Sequence, residues 1–202
     1  MRYVSTRGAS PVLDFADTLL AGLADDGGLY VPESWPVLGD GGRGDYVETA
    51  VEVMSPFVGQ AVDGDAFAGM VADAYAGFDH PDVAPLVELS DGIHLMQLFH
   101  GPTLAFKDIA LQLVGRLFDY ELSRRGERVT IVGATSGDTG SAAIEACRDR
   151  ERSPEKHVLD RRCGEYDLCE SGFYEFQIDE NSGDDRDRRH CDRDCEDERK
   201  GD

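Results

Sequence analysis

The sequence predicts an α/β protein in which a small α+β unit precedes the first helix, strand and helix of a larger parallel sheet. Three observations predict this organisation. Amphipathic helical patterns and short apolar runs follow one another through residues 1–99. A long apolar helix, a short apolar strand, a polar loop and a second helix occupy most of residues 100–150. Residues 151–202 then lose helical periodicity, so we predict three successive segments with these boundaries.

Three helices are predicted in the first segment. One spans residues 10–23, where Ser10 is a suitable N-cap and Pro11 occupies the first helical position. The others lie near residues 46–58 and 64–77. The last of them gathers apolar side chains on one side: Phe67, Met70, Val71, Ala74 and Phe78. This apolar side is a candidate part of the core.

Short strands and turns account for the rest of the first segment. The apolar run at residues 29–31 follows a Gly-Gly break and ends at Pro32. Residues 83–89 and 93–99 form a predicted strand pair, because the Ser-Asp-Gly between them is a turn sequence. The glycine-rich stretch at residues 40–45 is predicted to be a flexible connection.

The pattern changes to α/β in the second segment. A largely apolar helix covers residues 107–124 and stops at Gly126. Residues 129–134 form a short apolar strand, and a polar loop at residues 135–140 leads into a helix at residues 141–148. Helix, strand, tight loop and helix are the parts of a doubly wound sheet. This segment therefore predicts the beginning of a larger parallel-sheet domain.

The third segment differs in composition from the rest. It holds ten basic and eighteen acidic side chains, and its last part has few apolar residues to bury. Such a composition predicts disorder. Its bias towards Arg, Asp and Cys also matches the translation of GC-rich DNA in a wrong frame. Since the change interrupts an α/β repeat, a frameshift near codon 150 is favoured over an evolved tail.

The net charge of −21 restricts the classes of partner. Nucleic acid and anionic membranes are excluded as expected partners, because binding them requires clustered Lys and Arg. No apolar run has the length of a membrane span, and the N-terminal residues lack the apolar region of a secretory signal. A cytoplasmic protein is therefore expected. The acidity also suits a high-salt cytoplasm, where screening offsets self-repulsion, with an ordinary acidic surface as the alternative.

Lys107 is the only lysine among the first 150 residues, in which the other nine basic side chains are arginine. Arginine stays protonated and cannot act as an amine nucleophile. Lys107 follows a Gly-Pro turn and Phe106, which can provide an apolar wall, and it begins a helix. Partial desolvation and a helix N-terminus both favour the neutral amine. Lys107 is therefore the candidate nucleophile, and a lysine that snorkels from a helix start is the structural alternative.

Residues 135–140, Thr-Ser-Gly-Asp-Thr-Gly, lie between the predicted strand and helix. Backbone N–H groups at a helix start, together with Ser and Thr hydroxyls, form a receptor for a carboxylate or phosphate. A capped turn is the alternative. The string Asp-Thr-Gly-Ser at residues 138–141 also occurs in aspartic proteases, which place it after an apolar strand in an all-β fold. A helical sequence follows it here, so that match is rejected.

A set of Cys and His residues in the third segment raises the possibility of a zinc site: Cys163, Cys169, His190, Cys191 and Cys195. Their spacings fit no tight zinc knuckle. No metal site is therefore predicted.

Four motifs resemble the threonine synthase family and lie in the order and relative spacing of that family. They are Tyr-Val-Ser-Thr-Arg-Gly at 3–8, Asp-Gly-Gly-Leu-Tyr-Val-Pro at 26–32, His-Gly-Pro-Thr-Leu-Ala-Phe-Lys-Asp at 100–108 and Ala-Thr-Ser-Gly-Asp-Thr-Gly at 134–140. The resemblance covers residues 1 to about 150. It implies the tryptophan-synthase-like fold of fold-type II pyridoxal-phosphate enzymes. The implied reaction converts O-phospho-L-homoserine and water to L-threonine and phosphate.

The resemblance also implies roles for the matching residues. Lys107 would hold pyridoxal 5'-phosphate through a Schiff base and would then move protons during the reaction. Phe106 would pack near the cofactor. The loop that binds the substrate carboxylate would consist of Ser136, Gly137, Asp138 and Thr139.

The third segment departs from the family pattern. Threonine synthases are longer, and beyond this point they supply a glycine-rich loop for the cofactor phosphate and a hydroxyl partner for the pyridine nitrogen. The isolated Gly164, Gly172 and Gly183 form no such loop, so the chain is expected to be inactive or nearly so. Two other classes stay open. One is another fold-type II lyase, such as a threonine dehydratase or cysteine synthase relative, against which the two N-terminal motifs argue. The other is a non-catalytic acidic binding protein.

Overall fold

A computed structural model describes residues 1–39, 44–127, 131–135, 137–147 and 174–178 of the chain. The two short ranges at 131–135 and 174–178 are described as backbone only. Within the described ranges the chain forms five helices and seven strands. None of these described helices is long and apolar enough to cross a membrane.

The N-terminal sheet consists of three antiparallel strands. β1 (Arg2–Ser5) lies in the centre, between β2 (Leu13–Asp14) and β3 (Tyr30–Pro32). The strand predicted at residues 29–31 is therefore confirmed, with a shift of one residue. The sheet carries two of the four motifs identified in the sequence.

Asp26 organises the loops beside this sheet. Its carboxylate accepts hydrogen bonds from Ser5 Oγ at 2.7 Å and from the backbone N–H groups of Ala9 at 2.9 Å, Ser10 at 3.1 Å and Gly28 at 2.9 Å. These donors, the Ser5 hydroxyl foremost, lower the pKa of Asp26 from 3.8 to about 2. The carboxylate thereby connects the loops before and after α1 to β1.

We expect the Asp26→Asn variant to lose stability relative to the wild type in a manner that depends on pH. Because the pKa of Asp26 is lower in the folded chain than its ordinary 3.8, its ionisation stabilises the fold above about pH 4 and this contribution disappears as the pH falls towards 2. Denaturant unfolding of both proteins between pH 5 and pH 2 measures the difference. A difference that stays constant across this range would contradict the assignment.

The first helix begins later than predicted. α1 spans Phe15–Ala21, and the Asp14 side chain caps its first turn. The predicted start, with Ser10 as N-cap and Pro11 at the first helical position, is wrong. Ser10 is engaged elsewhere, because its N–H donates to the Asp26 carboxylate and its hydroxyl accepts the Asp26 N–H at 3.0 Å. The next residues form β2 instead of a helical turn.

α2 (Tyr46–Val58) and α3 (Gly64–Tyr75) confirm the second and third predicted helices. Each begins at an aspartate. Asp45 forms a reciprocal capping box with Glu48, and Asp63 accepts hydrogen bonds from two N–H groups of the next turn. α3 ends two residues before its predicted boundary.

α2, α3 and α4 (Asp108–Arg125) share the main core. Its buried members are Val58, Val62, Phe67, Val71, Ala74, Tyr75, Val83, Leu113 and Leu117. Two polar contacts reinforce the packing of α3 on α4: the Tyr75 hydroxyl donates to the Ile109 carbonyl at 3.1 Å, and Arg116 Nη2 donates to the Asp73 carbonyl at 2.7 Å. These contacts fix α4 to the N-terminal unit.

β4 (Leu86–Ser90) and β5 (Ile93–Met96) form the predicted antiparallel pair, with a register shift between Glu88 and Ser90. Both strands are shorter than predicted. Every residue in them is exposed. The pair is therefore an apolar hairpin that stands out from the core.

The predicted helix, strand and helix of the second segment are present. α4 ends at Gly126, whose φ of +66° is the left-handed conformation expected at a glycine C-cap. β6 (Ile131–Thr135) follows, and α5 (Asp138–Cys147) starts three residues before the predicted Ser141. α4 and α5 pack against each other.

β7 (Tyr174–Ile178) pairs with β6 in antiparallel register. The sequence predicted disorder for residues 151–202, and the structure differs from that expectation in these five residues. The five residues alternate between apolar and polar side chains, Tyr-Glu-Phe-Gln-Ile. This alternation is typical of a strand and has no helical periodicity. The remainder of the third segment, with its Cys and His set, lies outside the described residues.

Candidate active site

Lys107 is the last residue of the loop that connects β5 to α4. The loop turns twice, since the Leu104 N–H donates to the Gly101 carbonyl at 3.0 Å and the Asp108 N–H donates to the Ala105 carbonyl at 3.0 Å. Leu104 has a φ of +61°, a left-handed conformation that costs a residue with a side chain about 1 kcal/mol. A strained, exposed residue of this kind is typical of functional loops.

Asp108 clasps the loop from within. Its side chain is fully buried, and its carboxylate accepts hydrogen bonds from the Thr103 N–H at 2.8 Å and from the Thr103 hydroxyl at 2.9 Å. Gly101 passes so close that a Cβ on it would lie 2.5 Å from Asp108 Cβ. Only glycine fits at position 101, because the backbone passes so close to the Asp108 side chain. Through its hydrogen bonds to Thr103, Asp108 fixes the loop segment that precedes Lys107.

His100 fixes the other end of the loop. Its ring Nδ1 lies 2.7 Å from Asp79 Oδ1, and its Nε2 lies 2.9 Å from Gln97 Oε1. The His100 carbonyl also accepts the Asp79 N–H at 2.9 Å. His80 and Phe99 lie against the ring, with centroids 5.0 and 4.7 Å away. Both ends of the loop are therefore held by hydrogen bonds to side chains, those of Asp108 and His100.

The Lys107 side chain is half-buried and lies against Phe106. Its Nζ is 4.9 Å from the centroid of the Phe106 ring, a cation–π distance. The ring itself is 57% exposed, and Leu104 beside it in the loop is 68% exposed. Lys107 and its predicted apolar wall are thus brought together, on a surface that is open to a further molecule.

The predicted carboxylate-binding residues lie at the start of α5, except Ser136, which is outside the described residues. Gly137 has a φ of +127° and its carbonyl accepts the Ser141 N–H at 2.9 Å. Asp138 and Thr139 are exposed in the first helical turn. The N-terminus of a helix carries a partial positive charge, which favours an anion at this turn. Because α4 and α5 pack together, one helix pair carries both candidate sites.

The sequence did not reveal the residues that position Lys107. Asp108 looked like an acid at a helix start, and nothing in the sequence marked it as buried. The contact of His100 with Asp79 spans 21 residues along the chain. The contact of Asp108 with Thr103 does have a local signal in the sequence, the five-residue spacing of the two residues. Over a tight turn, an acid can reach back to a Thr hydroxyl at this spacing.

Comparison with known proteins agrees with this geometry. Residues 2–75 match the family model described as "Threonine synthase N terminus". The threonine synthase of Pseudomonas aeruginosa is 55% identical over 153 residues. Over about three quarters of its length, this chain is similar to threonine synthases. The resemblance stated from four motifs is therefore confirmed, and the match includes the two N-terminal motifs that separated this family from other fold-type II lyases.

Solved structures give the same result for the fold. The PLP-bound threonine synthase from Brucella melitensis superposes with a TM-score of 0.72 at 54% identity, covering 75% of this chain and 34% of that one. The yeast threonine synthase superposes with a TM-score of 0.63 at 32% identity, covering 74% of this chain and 33% of that one. The predicted fold class, the beginning of a fold-type II enzyme, is confirmed.

The chain spans about one third of the length of its threonine synthase relatives. It is matched over 73% of its own residues by the Pseudomonas aeruginosa protein, of which it covers 33%. The fission yeast threonine synthase is 42% identical, and its match covers 74% of this chain and 32% of that protein.

Proposed function

We propose that this chain is the amine-bearing N-terminal part of a threonine synthase and that Lys107 holds pyridoxal phosphate covalently. The observation that supports this is the placement of Lys107, on a loop clasped by Asp108 and His100 and with its Nζ against an exposed aromatic ring. An amine on a rigid support beside an open apolar wall fits the aldehyde half of this cofactor. When bound, the cofactor supplies an electron sink for carbanions.

The chain's own residues then have separable tasks. Lys107 moves protons at the substrate carbon atoms once the incoming amino group has released it. The substrate carboxylate is bound by Ser136, Gly137, Asp138 and Thr139, of which the last three lie at the start of α5. Because the Asp138 charge lies in this first turn, the donors to that carboxylate are expected to be backbone N–H groups and the Thr139 hydroxyl.

The proposed reaction converts O-phospho-L-homoserine and water to L-threonine and phosphate in the cytoplasm. The isolated 202-residue chain is expected to catalyse it poorly or not at all, since it spans one third of its relatives and its sequence offers no cradle for the cofactor phosphate. Phosphate release from O-phospho-L-homoserine by the purified chain measures this. Sustained turnover would show that residues 151–202 complete the site.

Lys107 can be tested by labelling with pyridoxal phosphate followed by borohydride reduction. The chain contains two further lysines, Lys156 and Lys200, which serve as internal controls in the same tube. We expect the reduced adduct on Lys107 to exceed that on each control several-fold, because its amine lies next to exposed apolar side chains that the pyridoxal ring can contact. The measurement is quantitative mass spectrometry of peptides cut at acidic residues.

The Lys107→Arg variant keeps the positive charge and cannot form the adduct. It should lose the excess labelling and leave the labelling of Lys156 and Lys200 unchanged. Equal labelling of all three lysines in the wild type would reject the proposed role of Lys107.

A further inference from the structure

Four Asp-Gly dipeptides occur in the chain, at residues 26–27, 40–41, 63–64 and 91–92. This dipeptide rearranges without an enzyme when the glycine nitrogen attacks the aspartyl Cγ. An N–C bond forms, the amide hydrogen and the carboxyl OH leave as one water molecule, and a five-membered succinimide ring remains. Water then adds back to either ring carbonyl, which gives aspartate again or isoaspartate, whose main chain runs through Cγ. Glycine permits the attack because it has no side chain beside its nitrogen.

Two structural conditions decide which of these dipeptides reacts in the folded chain. The aspartyl side chain must be able to turn towards the next backbone nitrogen, and the glycine N–H must be free of other partners. The structure describes three of the four dipeptides, since residues 40–41 lie outside the described ranges.

In the dipeptide at residues 26–27, both reacting groups are occupied. The Asp26 carboxylate accepts hydrogen bonds from the Ser5 hydroxyl and from three backbone N–H groups. These bonds lower the pKa of Asp26 to about 2, so the neutral acid that reacts is rare. The Gly27 N–H donates to the Ala24 carbonyl at 2.8 Å. The structure therefore protects this dipeptide at both atoms.

The dipeptide at residues 63–64 lies at the start of α3. Asp63 Oδ1 accepts the N–H groups of Asp65 at 3.0 Å and of Ala66 at 3.1 Å. Asp63 has to give up these capping bonds before its Cγ can meet the Gly64 nitrogen. Because a cap of this kind stabilises the helix start, it opposes the attack.

The dipeptide at residues 91–92 meets both conditions. Asp91 and Gly92 form the turn of the β4–β5 hairpin, between the paired residues Ser90 and Ile93, and both are exposed. Within the part of the chain that the structure describes, neither the Asp91 carboxylate nor the Gly92 N–H has a hydrogen-bond partner. The space around the Gly92 Cα is also open, since a Cβ built there would meet nothing within 4 Å.

We propose that Asp91 is a site of spontaneous isoaspartate formation in the folded protein, with water as the only reagent. The hairpin gives the turn little support. Of the described elements, β4 and β5 make their extensive contacts with each other, and an isolated strand pair is marginally stable in water. The product lengthens a two-residue turn by one main-chain carbon, so Ser90 and Ile93 lose their pairing geometry. The proposal is independent of the role of Lys107.

The test is to incubate the full 202-residue chain in neutral buffer at physiological temperature and to follow isoaspartate at each dipeptide. Mass spectrometry with electron-transfer fragmentation distinguishes isoaspartate from aspartate of equal mass. We expect isoaspartate at Asp91 to accumulate several-fold faster than at Asp26 or Asp63. The same chain in denaturant is the reference, because the three dipeptides lose their contacts there and should react at similar rates.

The Asp91→Glu variant is the matched control, since it keeps the charge but cannot form the five-membered ring. It should give no isomer at residue 91 and leave the rates at Asp26 and Asp63 unchanged. Equal rates at the three dipeptides in the folded chain would overturn the proposal. A rate at Asp91 that folding suppresses as strongly as it suppresses the rate at Asp63 would overturn it as well.

Discussion

The Asp108→Ala variant is expected to lose about 3 kcal/mol of unfolding free energy and to lose the selective labelling of Lys107. The wild-type carboxylate is fully buried and is the acceptor for both the N–H and the hydroxyl of Thr103. Charge-assisted hydrogen bonds contribute about 1.5–3 kcal/mol each, and a buried donor left without an acceptor adds its desolvation cost. The loop before Lys107 would then lose the contact that fixes it.

Two further variants separate the loss of the clasp from general destabilisation. Asp108→Asn keeps a carbonyl for the Thr103 N–H and offers an amide N–H to the Thr103 oxygen, so it should cost about 1 kcal/mol or less. Thr103→Val removes the hydroxyl alone and should give an intermediate loss. Denaturant unfolding measures the stability, and reductive labelling measures the reactivity of Lys107. If Asp108→Ala labels Lys107 as selectively as the wild type, Asp108 does not position that lysine.

The helices show how much of the fold follows from local sequence. α2 and α3 begin at aspartates that the structure uses as N-caps, and α4 ends at the glycine that the sequence indicated. These boundaries were predictable because cap and stop residues act within one turn. The start of α1 could not be predicted in this way. Ser10 is of a residue type that commonly caps helices, but it is hydrogen-bonded to Asp26, 16 residues away. A local sequence pattern does not show a contact over that distance.

The same distinction holds for the candidate site. Lys107 and Phe106 could be proposed as site residues because a lone lysine beside an aromatic ring is visible in the sequence itself. Their support was not visible, since the burial of Asp108 results from packing of the loop and the contact of His100 depends on the position of Asp79. The hairpin was predicted as a strand pair from its turn. The exposure of both faces of the hairpin could not be predicted. The sequence pattern shows which residues are apolar, but it does not show whether another part of the molecule covers them.

A second buried network connects α4 to the N-terminal helix. Glu121 is 1% exposed and accepts hydrogen bonds from Arg124 at 2.7 and 2.9 Å and from Arg125. These guanidinium groups, Arg124 foremost, hold the pKa of Glu121 below its usual value. Arg125 also contacts Asp17 of α1 at 2.6 Å. The network connects the C-terminal end of α4 to α1, whereas the middle of α4 packs against α3 through buried apolar side chains.

The Phe67→Ala variant is therefore expected to have the largest effect on stability, a loss of about 4 kcal/mol. Phe67 is 2% exposed in α3, within the core that α3 shares with Leu113 and Leu117 of α4. Removing the ring loses the free energy gained by burying it, and it leaves a cavity that the surrounding helices fill only in part. Since a domain of this size has about 5–15 kcal/mol in total, the variant should approach its unfolding threshold. The shift in denaturant midpoint at unchanged slope measures the effect.

Two comparisons make this result interpretable even if Phe67→Ala fails to fold. Phe67→Leu retains most of the apolar volume and should cost about 1.5 kcal/mol, which remains measurable. Phe99→Ala, the same truncation at a residue 50% exposed, should cost about 1 kcal/mol or less. Equal losses for Phe67→Ala and Phe99→Ala would show that the shared core of α3 and α4 does not hold α4 in place. The support of Lys107 would then have to come from the loop clasps alone.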